Sequence, residues 1–216
     1  MKKMRSCFAG LLVLGMSLCM ALPALAMDNA PILPQDLDKE ILSTKIYYVD
    51  KDVREADIQR QLDEYMTELL ASTPQPTSDY EYSYSVEYGD PQLISKGGYP
   101  GNQPSHGTKF APPGGAFTWQ PDGGPSYSLS VSFPPPFNFL TMASISLGIA
   151  TAGASSVGMI QPVENYTDYV KLYVVKTQEI TPFIVYRTNL YTGEKTEYSK
   201  NHLSTMYSYE LDVVVV

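Results

Sequence analysis

From Gly123 to Val163 the chain carries no Asp, Glu, Lys or Arg. A run of that length without charge is a poor match for a wholly solvated surface, so it restricts the fold to arrangements that bury one side of it. Ser126–Phe133 reads SYSLSVSF, in which Tyr127, Leu129, Val131 and Phe133 alternate with four serines. Period-two alternation marks a strand with one apolar face. SISLGIAT (Ser144–Thr151) repeats the scheme with Ile145, Leu147 and Ile149. Such a strand can expose its serines, can pack a second element against them, or can line a membrane barrel with Leu129, Val131, Phe133, Ile145, Leu147 and Ile149 turned to lipid.

A helical pattern competes from Phe139 to Ile160, where Ser144, Gly148, Ala152 and Ser156 form a small-residue stripe of period four. Gly, Ser and Thr are weak helix formers. Strand plus loop is therefore preferred, then a buried helix, then a membrane-spanning helix. The expectation is a segment uncharged because it is buried between layers of the protein.

Residues 1–26 join Lys2, Lys3 and Arg5 to an apolar stretch, Phe8 to Met20, and to a small-x-small site at Ala24-Leu25-Ala26. This predicts a signal peptide cut after Ala26 and a secreted, extracellular protein, free or at the cell surface. The apolar stretch is shorter than the roughly 20 residues a spanning helix needs. Both cysteines, Cys7 and Cys19, fall within residues 1–26. The remaining chain thus has no thiol nucleophile, thiolate metal ligand, redox pair or disulfide. Cysteine-free export suits a bacterial source.

Removing residues 1–26 takes away three bases and no acid, lowering the net charge from −8 to −11. Met27 to Asp90 holds 15 acids against 5 bases, whereas Pro91 to Val216 holds 8 against 7. An acidic front argues against nucleic acid as a partner, since phosphates require a basic surface. It also disfavours electrostatic docking on anionic lipid.

Past the signal, 27–77 forms an acidic segment. KIYYV (Lys45–Val49) reads as a short strand. Ile58, Leu62, Tyr65, Met66, Leu69 and Leu70 then line one stripe of a helix at about 52–72, capped by Asp50 or Asp52. STPQPT ends it. A β-rich domain follows over 78–216. Tyr80, Tyr82, Tyr84, Val86 and Tyr88 alternate with Glu and Ser, which places one aromatic face inward. A Gly/Pro-rich loop is expected over 89–124. Strand formers dominate the last third, with a turn at Thr192-Gly193 and an edge or bulge at Pro182. Six or seven strands and one N-terminal amphipathic helix predict a mainly β fold, an antiparallel sandwich or open barrel.

No arrangement of residues names a reaction. GASSVG (Gly153–Gly158) lacks the spacing of a nucleophile elbow. The two histidines, His106 and His202, stand in loop and turn contexts. DLD (Asp36–Asp38) and DKD (Asp50–Asp52) do not continue into a calcium loop. Asn165-Tyr166-Thr167 matches a glycosylation sequon. No catalytic residue, metal site or cofactor is assigned, and the chain is expected not to be an enzyme. The expected role is a non-enzymatic extracellular or cell-surface interaction protein that binds an extracellular protein or glycan through the loop aromatics Tyr99, Phe110, Phe117 and Trp119. The alternative is a membrane-active protein, bacteriocin-like or pore-forming, whose segment 126–158 leaves the fold and inserts.

Overall fold

The computed structural model describes residues 39–72, 82–153, 158–165 and 167–216. The predicted signal peptide, Tyr80, Ser156 and the central Tyr166 of the sequon lie outside them. All described residues belong to one compact unit, Leu33–Val216; the other unit, Met1–Ile32, lies outside the described residues.

Two long strands set the architecture. β9 (Val170–Asn189) and β10 (Lys195–Val215) are rich in Val, Ile, Thr and Tyr, which suit a pleated, half-buried surface. The turn between them uses Gly193 at φ 71°. The Asn189 side-chain carbonyl accepts from the N–H groups of Tyr191 and Thr192. β1 (Ile41–Tyr48) pairs antiparallel with the Ser208–Val214 half of β10. β2 (Tyr82–Tyr88) and β3 (Gln92–Gly98) lie end to end along the other side of β9. The result is a mainly β, antiparallel fold with sheet order β1-β10-β9-β2 and β3 also on β9.

Pro182 sits in the middle of β9, a central strand, and not at the expected edge. Its missing donor is harmless because it faces the break between β2 and β3, where the Pro182 carbonyl accepts the Gly89 N–H at 2.8 Å. A Cβ at Gly89 would stand 2.6 Å from the Phe137 ring and 2.8 Å from Pro182, so the break requires a residue without a side chain.

Helix α1 (Lys51–Ser72) follows β1, so a strand precedes the helix. The Asp50 side chain accepts the Asp52 N–H at 2.9 Å, the N-cap arrangement expected of it. Leu62 is buried against Phe183, Val185 and Leu203, with Ile58, Tyr65, Met66 and Leu69 packed beside it; Leu70, placed on the same stripe from sequence, is exposed. Tyr84 and Val86 of β2 join this cluster, so the middle of the alternating strand turns inward toward the helix, whereas Tyr88, expected on the same face, is exposed where the strand ends.

The opposite face of the long hairpin is covered by two smaller sheets. β4 (Gly115–Gln120) lies between β7 (Ile149–Ala152) and β8 (Met159–Val163). It packs Phe117 and Trp119 on Val170, Leu172, Val174, Leu211 and Val213. β5 (Ser126–Ser132) and β6 (Leu140–Ser146) form a hairpin that sets Val131, Ala143, Phe133 and Phe137 on Ile180 and Ile184. Burial of each such side chain contributes about 1.5–3 kcal/mol.

The expected loop over 89–124 is not one loop, because β3 and β4 lie within it. Its glycines serve strand ends and close approaches: a Cβ on Gly98 would stand 2.5 Å from Leu147. Residues 139–152 adopt the strand-plus-loop reading. The uncharged hairpin buries Val131, Ala143 and Ile145 between layers as expected, but Tyr127 of the same face is exposed, and Ser126, Ser128, Ser130 and Ser132 point outward to solvent.

Candidate functional site

The structure separates the aromatics predicted to bind a partner. Phe117 and Trp119 are core residues, 1% and 0% exposed, and the Trp119 indole N–H donates to the Leu147 carbonyl at 3.0 Å. They present no outer surface. Tyr99 is half-buried on Tyr173, with Lys39 and Lys171 each about 5 Å from its ring centroid. Phe110 leans edge-on against Phe117. Of the insertion candidates, Val131, Phe133, Ile145 and Leu147 are buried, and Leu129 and Ile149 are half-buried. No helix among the described residues is long and apolar enough to cross a membrane.

His106 packs edge-on to Tyr169. His202 Nδ1 lies 2.7 Å from the Thr141 hydroxyl, and burial lowers the ring's pKa. It borders a cleft of about 250 Å³ shared with Gln61, Glu64, Tyr65, Glu68 and Asn201. Among the described residues no group of three or more His, Cys, Asp or Glu is placed to hold a metal ion.

A larger cleft, about 500 Å³, opens between β1 and β8, with Leu42–Lys45 on one wall, Gln161–Asn165 on the other and Val213 at its base. It lies at the margins of two sheets, and the backbone arrangement follows from register. The Val49 N–H donates to the Tyr207 carbonyl, so by antiparallel alternation Lys45, Tyr47 and Val49 exchange bonds with β10. Thr44 and Ile46 therefore turn their N–H and C=O groups out of the sheet, and no described group pairs with them.

The β8 wall is less open to pairing. The Gly153 N–H donates to the Ala116 carbonyl, which directs Ala116 and Thr118 of β4 toward β7 and leaves Ile160 and Pro162 facing outward. Pro162 has no N–H to give. The Ile160 carbonyl already accepts the Tyr47 hydroxyl at 2.9 Å. One margin of the cleft is an open strand edge; the other is a blunted one.

Inside, Gln161 is 2% exposed and its Nε2 donates to the Ser43 hydroxyl at 3.0 Å. Its Oε1 is buried without a hydrogen-bond partner. Leaving a buried acceptor unpaired costs about 1–3 kcal/mol. The Thr44 hydroxyl is committed to Asp212, at 2.5 Å, on the helix side of the sheet. Asn165 closes one end in a turn, its side-chain carbonyl accepting the N–H groups of Thr167 and Asp168.

The sequence contains a signal for this site that its reading did not use. Pro162 within an alternating run, MIQPV, marks an edge strand. Ser43, Thr44 and Gln161 carry no local pattern that brings them together. Comparison of the chain with protein-family models, with curated proteins and with solved structures finds no match.

Proposed function

We propose that this chain is a non-enzymatic extracellular interaction module that takes an extended segment of a partner protein onto the open edge of β1, in the cleft facing β8. The observation that carries it is the cleft itself, where the outward backbone groups of Thr44, without a described partner, border a concave space of about 500 Å³. Strand addition supplies what such a margin lacks: main-chain bonds give affinity, and alternate side chains give specificity. The export signal read at residues 1–26 supports the extracellular setting. A partner protein is preferred to a glycan because a sugar platform needs open aromatic faces, and Phe117 and Trp119 are enclosed.

Proline at position 44 tests this, since it removes an outward N–H without touching the β1–β10 ladder. Thr44→Val is the control, because it loses the Asp212 contact but keeps the backbone donor. Random octapeptides displayed on phage and selected on the purified protein should yield clones that bind wild type and Thr44→Val and fail on Thr44→Pro. Recovery of no clones, or of clones indifferent to Thr44→Pro, would remove the strand-addition reading.

A further inference from the structure

We infer that the cleft between α1 and the bare stretch of β10 receives an arginine side chain of a partner protein, with Glu68 and the His202 backbone carbonyl accepting its guanidinium. This cleft shares no lining residue with the one at β1 and does not rest on strand addition there. Its backbone follows from register. The Pro182 carbonyl accepts the Gly89 N–H and so points away from β10. His202, opposite Pro182 in the ladder, therefore turns its own N–H and C=O off β9 and toward the bare edge. Ser204, two residues on, does the same and gives both groups to Gln61 of α1. The His202 N–H is taken by the Asn201 side-chain carbonyl at 2.8 Å, whereas no described group donates to the His202 C=O.

The lining selects the chemistry of what enters. The cleft holds about 250 Å³ above an apolar floor of Phe183, Leu203 and the Tyr65 ring, which stands edge-on to Phe183. Glu64 and Glu68, one helical turn apart on α1, form the rim. Arg60 already pairs with Glu64 at 2.8 Å, whereas exposed Glu68 has no hydrogen bond or ion pair among the described residues. Burial holds the His202 ring below its ordinary pKa, so it brings no positive charge to the cleft at pH 7. Glu68 and the His202 carbonyl are thus unmatched acceptors beside an apolar floor. An apolar side chain leaves both unpaired, and an acid is repelled by Glu68. Lysine supplies the charge as a strongly hydrated point. Arginine supplies several donors in one planar fork, sheds water more readily, and lays its stem and flat face on the aromatic floor. The helix belongs to the acidic segment Met27 to Asp90, whose 15 acids against 5 bases attract a basic partner.

The test titrates the isotope-labelled protein with acetyl-Gly-Arg-Gly-amide and follows backbone amide shifts by NMR. The peptide should shift Glu64–Glu68 and Asn201–Leu203 saturably. The same peptide with lysine should bind more weakly, and with citrulline, the neutral isostere of arginine, more weakly still. Glu68→Gln should weaken the arginine peptide about fivefold, the scale of one exposed ion pair. Glu194→Gln makes the same charge change on the exposed β9–β10 turn and should leave binding as it is. An equal loss in the two variants would show diffuse attraction to an acidic surface and overturn the site. Full binding by Glu68→Gln, or by the citrulline peptide, would overturn the role given to charge, and lysine equal to arginine would overturn the choice of guanidinium. No saturable shift at these residues would overturn the inference outright, with the β1 reading left to its own test.

Discussion

Buried acids are the sharpest residue-scale consequence of this fold. Asp212 is 1% exposed, and burial lifts its carboxyl above the ordinary range, with the Thr44 hydroxyl pulling partly the other way. Glu210, two residues away on the same face, is raised by burial and then by the charge of Asp212. A carboxyl whose pKa is higher folded than unfolded holds its proton more tightly in the native state. Its ionisation therefore weakens the fold as pH rises through the window between the unfolded and folded values, and the penalty disappears below the unfolded value. Asp212→Asn keeps an acceptor for Thr44 and removes the charge. It should melt higher than wild type at pH 7, with the gap closing toward about pH 4, where an unfolded Asp titrates. A lower melting point for the variant at pH 7 would show that the ionised carboxylate is net stabilising here.

At the scale of elements, the long hairpin leaves more edge than its neighbours cover, and each stretch is handled differently. β1 reaches only the Ser208–Val214 half of β10. Beyond it, Gln61 of α1 bridges the bare edge, its Nε2 donating to the Ser204 carbonyl at 2.8 Å and its Oε1 accepting the Ser204 N–H at 3.2 Å. One side-chain amide thus imitates a neighbouring strand and shields an edge that would otherwise template pairing. β8 uses Pro162 for the same purpose. β1 has no such guard at Thr44, and for that reason the binding reading falls there. Gln61→Ala should speed amide exchange at Ser204. Two hydrogen bonds worth about 0.5–1.5 kcal/mol each should lower the melting temperature by several degrees, at about 2–4 °C per kcal/mol. Unchanged exchange at Ser204 would mean that water serves the edge as well as Gln61 does.

For the molecule as a whole, the uncharged hairpin β5–β6 is a layer of the core. Val131, Phe133, Ile145 and Leu147 would have to leave their neighbours before any of them reached lipid. Exposure on the outer side is confined to serines and to Leu140 and Met142, at 69% and 55%. Two side chains are a small insertion surface for a chain of strongly negative charge, which anionic lipid repels. Purified protein should therefore release no dye from neutral or anionic vesicles at pH 7. Release that stops when Leu147 and Ile149 are replaced by Asp in a folded variant would show that the hairpin does depart from the core.

Much of this fold was legible locally because local periodicity decides which way a side chain points. SYSLSVSF, the Tyr/Ser alternation of β2, the apolar stripe of α1, its Asp50 cap and the Thr192-Gly193 turn could all be read this way. The four loop aromatics show the limit. Gly- and Pro-rich flanks made Phe117 and Trp119 look like loop residues, yet a six-residue strand fits between those breakers and its side chains fill the centre of the molecule. Pro182 shows it again, since a proline is excluded from a central strand only when the adjacent strand is continuous. The sequence by itself determined the class of elements, their faces and the mainly β architecture. The tertiary structure decided which strand edges stayed open and which faces stayed wet. It also decided that Ser43 and Gln161, 118 positions apart, would meet. The reason is physical: a residue's face depends on its near neighbours in the chain, whereas its partner depends on which distant segment folding brings beside it.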